Sequence, residues 1–414
     1  MNEAKQKFRL TSLERAWILY DVGNSAFVLL VATLIPIFFN ALAEGGGLSS
    51  VEYLAYWGYA ASAVTVITAV LSPILGTLAD TRNFKKPIFT FCVAVGVIGC
   101  CAMGMASAWL PFLLIFIFAK VGFSGSLVFY DSMLSDVTVP DRMDEVSSKG
   151  YAWGYIGSCV PFVVCLALVL GAGSIGISQM TALNLALFLT AAWWLVTTLP
   201  LLRQYKQVHF VEVQEHAIRQ SFARIGHTLR HLKEDRQVFW FLLAFFCYID
   251  GVYTIIDMAT AYGTALGLDT TGLLLALLVT QIVAFPSALV FGRLSGQYPS
   301  GTLIPVCIAA YAGIALFAFF LKHQWQFWVL AVVVGMFQGG IQALSRSHFA
   351  KIIPPEKSGE YFGLFDICGK GASFLGTMIV SVGSQLTGSA NVGVGSLIVL
   401  FIVGFVLFRV SDRK

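Results

Sequence analysis

Apolar residues run through this chain in long stretches separated by short polar breaks. Twelve stretches stand out, near 16–42, 52–79, 87–109, 110–136, 149–171, 177–202, 237–265, 268–296, 301–321, 325–350, 360–386 and 391–409. A helix needs about 20 apolar residues to cross the hydrocarbon core. In lipid every backbone polar group must be satisfied within the segment, so such stretches become helices. Turn-rich breaks separate them, such as EGGGLSS at 44–50 and PSG at 299–301. The pattern predicts an all-α membrane protein with twelve transmembrane helices.

Composition narrows the class. The chain is 57% hydrophobic and 12% charged, against roughly 45–50% and about 25% in soluble domains. A water-soluble fold of 414 residues cannot hide that much apolar surface. A soluble enzyme, a disordered chain and a nucleic-acid binder are excluded. All eight cysteines fall inside apolar runs and read as small helix residues, not a disulfide framework or metal site. The opening residues are polar and basic, which predicts no cleavable leader.

The basic residues set the orientation. Of the 26 Lys and Arg, 22 flank the first span, the even-numbered breaks or the last span, Lys322 alone lies on the other side, and Lys120, Arg346 and Lys370 fall inside spans. By the positive-inside rule both ends are cytoplasmic, in what we read as a bacterial inner membrane. Seven of the basic residues crowd into 203–236, the longest polar stretch. It divides the chain into an N-terminal bundle of six helices (1–202), a cytoplasmic linker (203–236) and a C-terminal bundle of six (237–414). Part of the linker could lie on the membrane as an amphipathic helix. His227 and His231, four apart there, read as a solvated face and not as metal ligands. The halves repeat weakly. GTLAD at 76–80 matches GRLSG at 292–296, and Tyr151 opens span five as Tyr361 opens span eleven. Offsets near 210–216 residues indicate an internal duplication of six helices.

Ionisable residues inside spans are costly and are functional candidates by default. Asp21 and Asn24 are three apart on span one, and Asp250 and Asp257 are seven apart on span seven, with Tyr253 and Thr254 between them. The repeat puts these two helices in matching positions. Lys120 and Asp131 are three turns apart on one face of span four. Asp366 and Lys370 are four apart on span eleven, where they could pair. Gln281, Gln338 and Gln342 add neutral donors and acceptors. Trp153, Tyr155 and Tyr262 read first as packing residues. Asp21, Asn24, Asp250, Tyr253, Asp257, Gln281 and Gln342 are the candidate substrate-binding residues. Asp21, Asp250, Asp131 and Lys120 are the candidate proton-coupling residues, because a buried carboxyl gains affinity for protons. No phosphate-cradling loop, zinc-binding pair or nucleophile elbow is present, so no catalytic residue, metal or cofactor is expected.

The segment GTLADTRNFKK at 76–86 resembles the loop signature of the major facilitator superfamily, a Gly-x-x-x-Asp followed by basic residues and a Gly. Asn83 stands at the Gly position, and Asn tolerates a left-handed turn. Thr81 replaces a common basic residue. RAWILYDVGNSAF at 15–27 and the block at 339–373 are similar to the vacuole-effluxer-like branch, which holds the autophagy-related vacuolar amino-acid effluxer and bacterial relatives. The resemblance covers essentially the whole chain. It implies the two-bundle superfamily fold, with spans one and seven lining a central cavity. It also implies a cytoplasmic gate of Asp80, Arg82, Asp136, Arg142, Arg293, Arg346 and Glu360, with Asp80 at the N-terminus of span eleven. The function it implies is secondary active transport of a small metabolite by alternating access, foremost proton-coupled amino-acid export. The coupling ion is a proton, with sodium as the alternative. The alternatives for function are uptake of another small polar solute, such as a sugar or peptide, and a non-transporting membrane sensor or enzyme. The expected partners are the bilayer and a small-molecule substrate, with the chain a monomer.

The charge asymmetry places residues 203–236 in the cytoplasm. A Ser221→Cys variant should therefore escape a membrane-impermeant thiol reagent added to intact cells and react only after permeabilisation. Labelling in intact cells would invert the topology.

Overall fold

Polar side chains cap the starts of several helices, and membrane-length apolar runs carry them. The computed structural model describes residues 9–212, 230 and 232–412. The first half holds α1 (Ser12–Ala32), α2 (Leu34–Gly45), α3 (Ser50–Ala79), α4 (Lys85–Met103), α5 (Trp109–Ser132), the short α6 (Leu134–Val137), α7 (Pro140–Leu170) and α8 (Gln179–Gln204). The second holds α9 (Arg236–Ala265), α10 (Thr270–Leu294), α11 (Ser300–Phe319), α12 (Gln324–Ile352), α13 (Ser358–Thr387), α14 (Ala390–Gly395) and α15 (Ile398–Ser411). Thr11 with Glu14 and Ser49 with Glu52 form reciprocal capping boxes at the starts of α1 and α3, satisfying amides that a helix start leaves orphaned. Span one breaks at Thr33 between α1 and α2, where Pro36 removes the N–H that would bond the Ala32 carbonyl four residues earlier and crowds it with its ring. Asn83 has φ of 66°, so it takes the left-handed turn that its place in the loop signature requires.

Eleven helices or helix pairs are long and apolar enough to cross a membrane among the described residues. The predicted eleventh span is α13, helical over 30 residues and interrupted by polar side chains. Within the first half α1 packs on α7 and α8, and α4 on α5. Within the second, α9 packs on α13 and α15, and α10 on α12. The halves meet through α3 on α13 and α10 on α7. Swapping the halves turns the first of these contacts into the second, which is the pseudo-two-fold expected of duplicated bundles. The start of α1 lies beside the end of α8, and the end of α15 beside the start of α9. Ser411 Oγ donates to Gln237 O, and Ser12 Oγ donates to Gln204 Oε1.

The α3–α13 crossing depends on glycine. A Cβ on Gly76 would sit 2.2 Å from Gly359 O, and one on Gly359 would sit 2.4 Å from Gly76 O. Both clashes are with backbone, so no rotamer relieves them. Gly76→Val should force the helices apart at the face where the bundles touch, at about 1–3 kcal/mol, the usual cost of overpacking. The check is thermal unfolding in detergent, with a lower Tm expected for Gly76→Val and an unchanged Tm for Gly58→Val, whose site is open.

Candidate functional site

A cavity of about 350 Å³ lies between the bundles. The first half supplies Asp21 and Asn24 from α1, Asp131 from α5 and Tyr151 and Tyr155 from α7. The second supplies Tyr253 and Asp257 from α9, Gln281 from α10, Gln338, Gln342 and Arg346 from α12, and Asp366 from α13. Small residues let the walls approach. A Cβ on Gly150 would lie 3.0 Å from Asp21 Oδ2 and 3.1 Å from Arg346 Nη2.

Arg346 organises the floor. Its side chain is 2% exposed. Nη1 donates to Asp131 Oδ1 at 3.0 Å and lies 3.7 Å from Asp21 Oδ2. Nε and Nη2 donate to Ser147 Oγ and Ser147 O at 2.9 and 3.0 Å. Its guanidinium lies 4.3 Å from the ring centre of Tyr151 and 4.7 Å from that of Trp17. A planar guanidinium suits this combination of forked hydrogen bonds and aromatic faces. The sequence reading had placed Arg346 with the gate. In the structure it faces the cavity while joining α12 to the other bundle. Two further hydrogen bonds cross beside it, Tyr155 Oη donating to Gln342 Oε1 at 2.7 Å and Ser72 Oγ donating to Asp366 Oδ2 at 2.7 Å.

Asp257 is exposed to the lumen, in contrast to Asp21 and Arg346 at the floor. Asp250 does not share its setting and does not line the cavity. It is fully buried between α9 and α13, where Oδ1 accepts from Gly376 N at 2.9 Å and from Thr254 Oγ1 at 3.2 Å. Its Oδ2 has no hydrogen-bond partner, and it makes no ion pair among the described residues. Thr254 turns toward a separate apolar pocket within the second bundle. Lys120 is also absent from the cavity wall and lies over the rings of Phe27 and Phe123. Tyr262 donates to Ala318 O and packs in the core. Trp153 sits edge-on to Phe285 across the bundle boundary. The side chain of Lys370 lies outside the described residues, as do His227 and His231.

Below the floor, the face carrying the chain ends is shut by a second layer. Asp80 accepts from Gly359 N at 2.7 Å and from Glu360 N at 2.8 Å. Its carboxylate thus caps the positive end of α13. Lys85, fully buried, lies 3.8 Å from Asp80 and 3.7 Å from Asp136, and donates to Ser358 Oγ at 2.8 Å. Lys351 on α12 pairs with Asp144 on α7 at 2.5 Å. Sequence reasoning counted Lys85 and Lys351 as topology charges and missed Asp144, Ser358 and Tyr205. Lys85 alone carried a signal, its fixed spacing from Asp80 in the loop segment.

The remaining gate candidates differ in their contacts. Arg142 pairs with Glu14 at 2.7 Å inside the first bundle. Arg82 is exposed, reaching Glu212 at 3.5 Å and lying over Phe210. Arg293 is exposed at the end of α10. Glu360 contributes its backbone amide, and its side chain is buried.

Comparison with known proteins agrees with this geometry. The chain is 42% identical over 404 residues to the uncharacterized MFS-type transporter YxiO of Bacillus subtilis (strain 168), covering 96% of this chain and 94% of that one. It is 25% identical over 315 residues to autophagy-related protein 22 of Coccidioides immitis (strain RS), covering 65% of this chain and 51% of that protein. The chain therefore spans about half of that fungal relative. Among solved structures it is similar to the outward-conformation structure of the major facilitator superfamily transporter FucP, with a TM-score of 0.72, 16% identity and coverage of 97% and 98%. It is likewise similar to the human organic anion transporter MFSD10, with a TM-score of 0.72, 13% identity and coverage of 96% and 98%. These two likenesses are in fold. The family described as vacuole effluxer Atg22 like matches residues 12–138 and 135–414. This chain belongs to that family, and it is a multi-pass membrane transporter with the major facilitator superfamily fold.

Proposed function

We propose that the protein is a proton-coupled secondary transporter that exports amino acids by alternating access. The observation that carries this reading is the charge of the cavity. Three carboxylates, Asp21, Asp131 and Asp257, face it against one guanidinium, Arg346, among the described lining residues. Such a wall favours a substrate bearing an ammonium group. Arg346 offers a carboxylate the complementary anchor. A volume of about 350 Å³ suits a small metabolite. The description of the matching family as vacuole effluxer Atg22 like supports the export direction.

Asp131 and Asp21 divide one guanidinium between them in a low-dielectric floor. Two carboxylates around one cation leave an uncompensated charge, which a proton relieves at lower cost than ionisation. Substrate binding at Arg346 competes with Asp131 for the same donors. Proton uptake on Asp131 and release of Arg346 to substrate are thereby linked. Asp250 is the second candidate, because its unpartnered oxygen is also best satisfied by a proton. In this reading Asp80, Lys85 and Lys351 hold the cytoplasmic face shut while the cavity is open on the other side.

Two measurements test the reading. Purified protein in liposomes should accumulate labelled amino acids under an imposed pH gradient and ignore neutral sugars. Asp257→Asn should raise KM for the ammonium-bearing substrate by about tenfold or more, the equivalent of one lost charged hydrogen bond at about 1.5–3 kcal/mol. Asp131→Asn should abolish gradient-driven accumulation while leaving substrate exchange. If it accumulates substrate with unchanged pH dependence while Asp250→Asn does not, the coupling site moves to Asp250. Sugar flux without amino-acid flux overturns the substrate assignment. The gate is tested separately. Asp80→Asn should slow flux strongly while shifting substrate affinity little, because the cap on α13 lies outside the cavity, and wild-type flux in this variant would sink the gate.

A further inference from the structure

The linker does not leave the first bundle directly. After α8 ends at Gln204, residues 205–212 fold back as an extended strap across the ends of α3, α4 and α6. Val211 N donates to Asp80 O at 2.8 Å, Arg82 N donates to Val211 O at 3.1 Å, and Thr81 and Val211 form an isolated parallel bridge. Gln207 Nε2 donates to Ala79 O at 2.9 Å.

The strap converges on Asp136. Its Oδ1 accepts from His209 N at 2.8 Å and from Val208 N at 3.3 Å, and it lies 3.0 Å from His209 Nδ1. Its Oδ2 accepts from Tyr205 Oη at 2.5 Å and stands 3.7 Å from Lys85. Lys85 is the ammonium that Asp80 and Asp136 share and that reaches Ser358 of the other bundle. Two carboxylates thus rely on one buried cation, and His209 is the one strap side chain placed on them that can supply a second. The imidazole is about one-third exposed, so protons reach it from solvent.

We propose that the strap is a pH-reading latch on the inter-bundle gate, in which protonated His209 locks the linker onto Asp136 and holds that face shut, so that acid on the linker side slows transport. The proposal rests on the alternating-access reading. The titratable and charged groups facing His209 are Asp136 from α6, Lys85 from α4, Glu356 from the turn that opens α13, and Tyr205 and Asp80 behind Asp136. The hydrogen bond to Asp136 holds the imidazole above its ordinary value, burial opposes this, the charges of Asp136 and Glu356 reinforce it and Lys85 weakens it. The sign follows from linkage. A proton held more tightly in the docked strap stabilises docking fully below the ordinary histidine value, and that stabilisation fades as pH rises through the raised one. Glu356 belongs to the second bundle, so the added charge also attracts across the interface.

The experiment reads conformation instead of flux. Spin labels at Asp141→Cys on α7 and Gln297→Cys after α10, both exposed, report the distance between the bundles at the linker face of the full chain in nanodiscs. Lowering pH from about 8 to about 5.5, the range over which histidine titrates, should shift the distribution toward the short distance. His209→Gln, which keeps a hydrogen-bonding side chain but cannot take the charge, should lose that shift and rest at the high-pH distribution. His209→Arg, a permanent cation, should rest near the low-pH distribution at every pH, which keeps the idea testable if the glutamine variant is unstable. A His209→Gln distribution that still responds to pH as the wild type does overturns the latch. The alternating-access reading fails independently, if no solute crosses liposomes under any gradient while the pH response of the distances persists.

Discussion

A charge that leaves water for the interior of a helix bundle must meet a counter-charge or a converging set of dipoles there, because low dielectric penalises an uncompensated ion by several kcal/mol. In this protein the partners that meet this demand come from the opposite bundle. Arg346 on α12 takes Asp131 and Ser147 from α5 and α7. Asp80 at the end of α3 takes the free amides of α13. Lys351 takes Asp144. These groups find partners in the other bundle, so charges that would destabilise each half alone hold the two halves together. Aromatic pairs such as Phe245 on Phe365 at 3.9 Å and Trp17 on Tyr130 at 4.3 Å pack within a half, while Trp153 on Phe285 crosses the boundary beside the polar contacts.

An interface of charged and backbone hydrogen bonds can be exchanged for water, whereas an interdigitated core cannot be opened without cost at every contact. That difference explains why the polar groups are layered. The outer layer of Asp80, Lys85 and Ser358 sits where solvent arrives first when the bundles separate. The inner layer around Arg346 is reached only from the cavity. The glycines at the α3–α13 crossing bring backbone against backbone, so the cap on α13 closes with no side chain in between. The strap 205–212 adds a covalent connection between the bundles to this outer layer, and with it a histidine that the Asp136 hydrogen bond holds above its ordinary value.

Much of the site was legible before any tertiary contact was known. Asp21, Asn24, Asp131 and Asp257 were singled out because a membrane helix does not tolerate them idly, and all four line the cavity. Asp250 was singled out by the same logic and lies elsewhere. Seven residues along a helix return to nearly the same face, so periodicity could not separate Asp250 from Asp257. What differs is the cover. At Asp250 the backbone of α13 closes over that face, through Gly376 N, and at Asp257 the face opens into the lumen. Lys85 was misread for the opposite reason. It stands in a loop rich in basic residues, where charge serves topology, and only the approach of α6 and α13 turns it into a buried bridge.

The hydrophobic pattern and the distribution of Lys and Arg pointed by themselves to a polytopic helical membrane protein, to roughly where its helices lie, and to a weak repeat between its halves. These follow from local physics, since backbone satisfaction in lipid needs no partner beyond the helix and the repeat is written in spacing. Tertiary structure alone decided which bundle each buried charge answers to, which of two equivalent aspartates faces the cavity, and that the polar linker returns to the gate. Those outcomes depend on distances between residues 69 to 294 positions apart. The energy of a buried ion is set by whatever lies within a few ångströms of it, and sequence order does not carry that information.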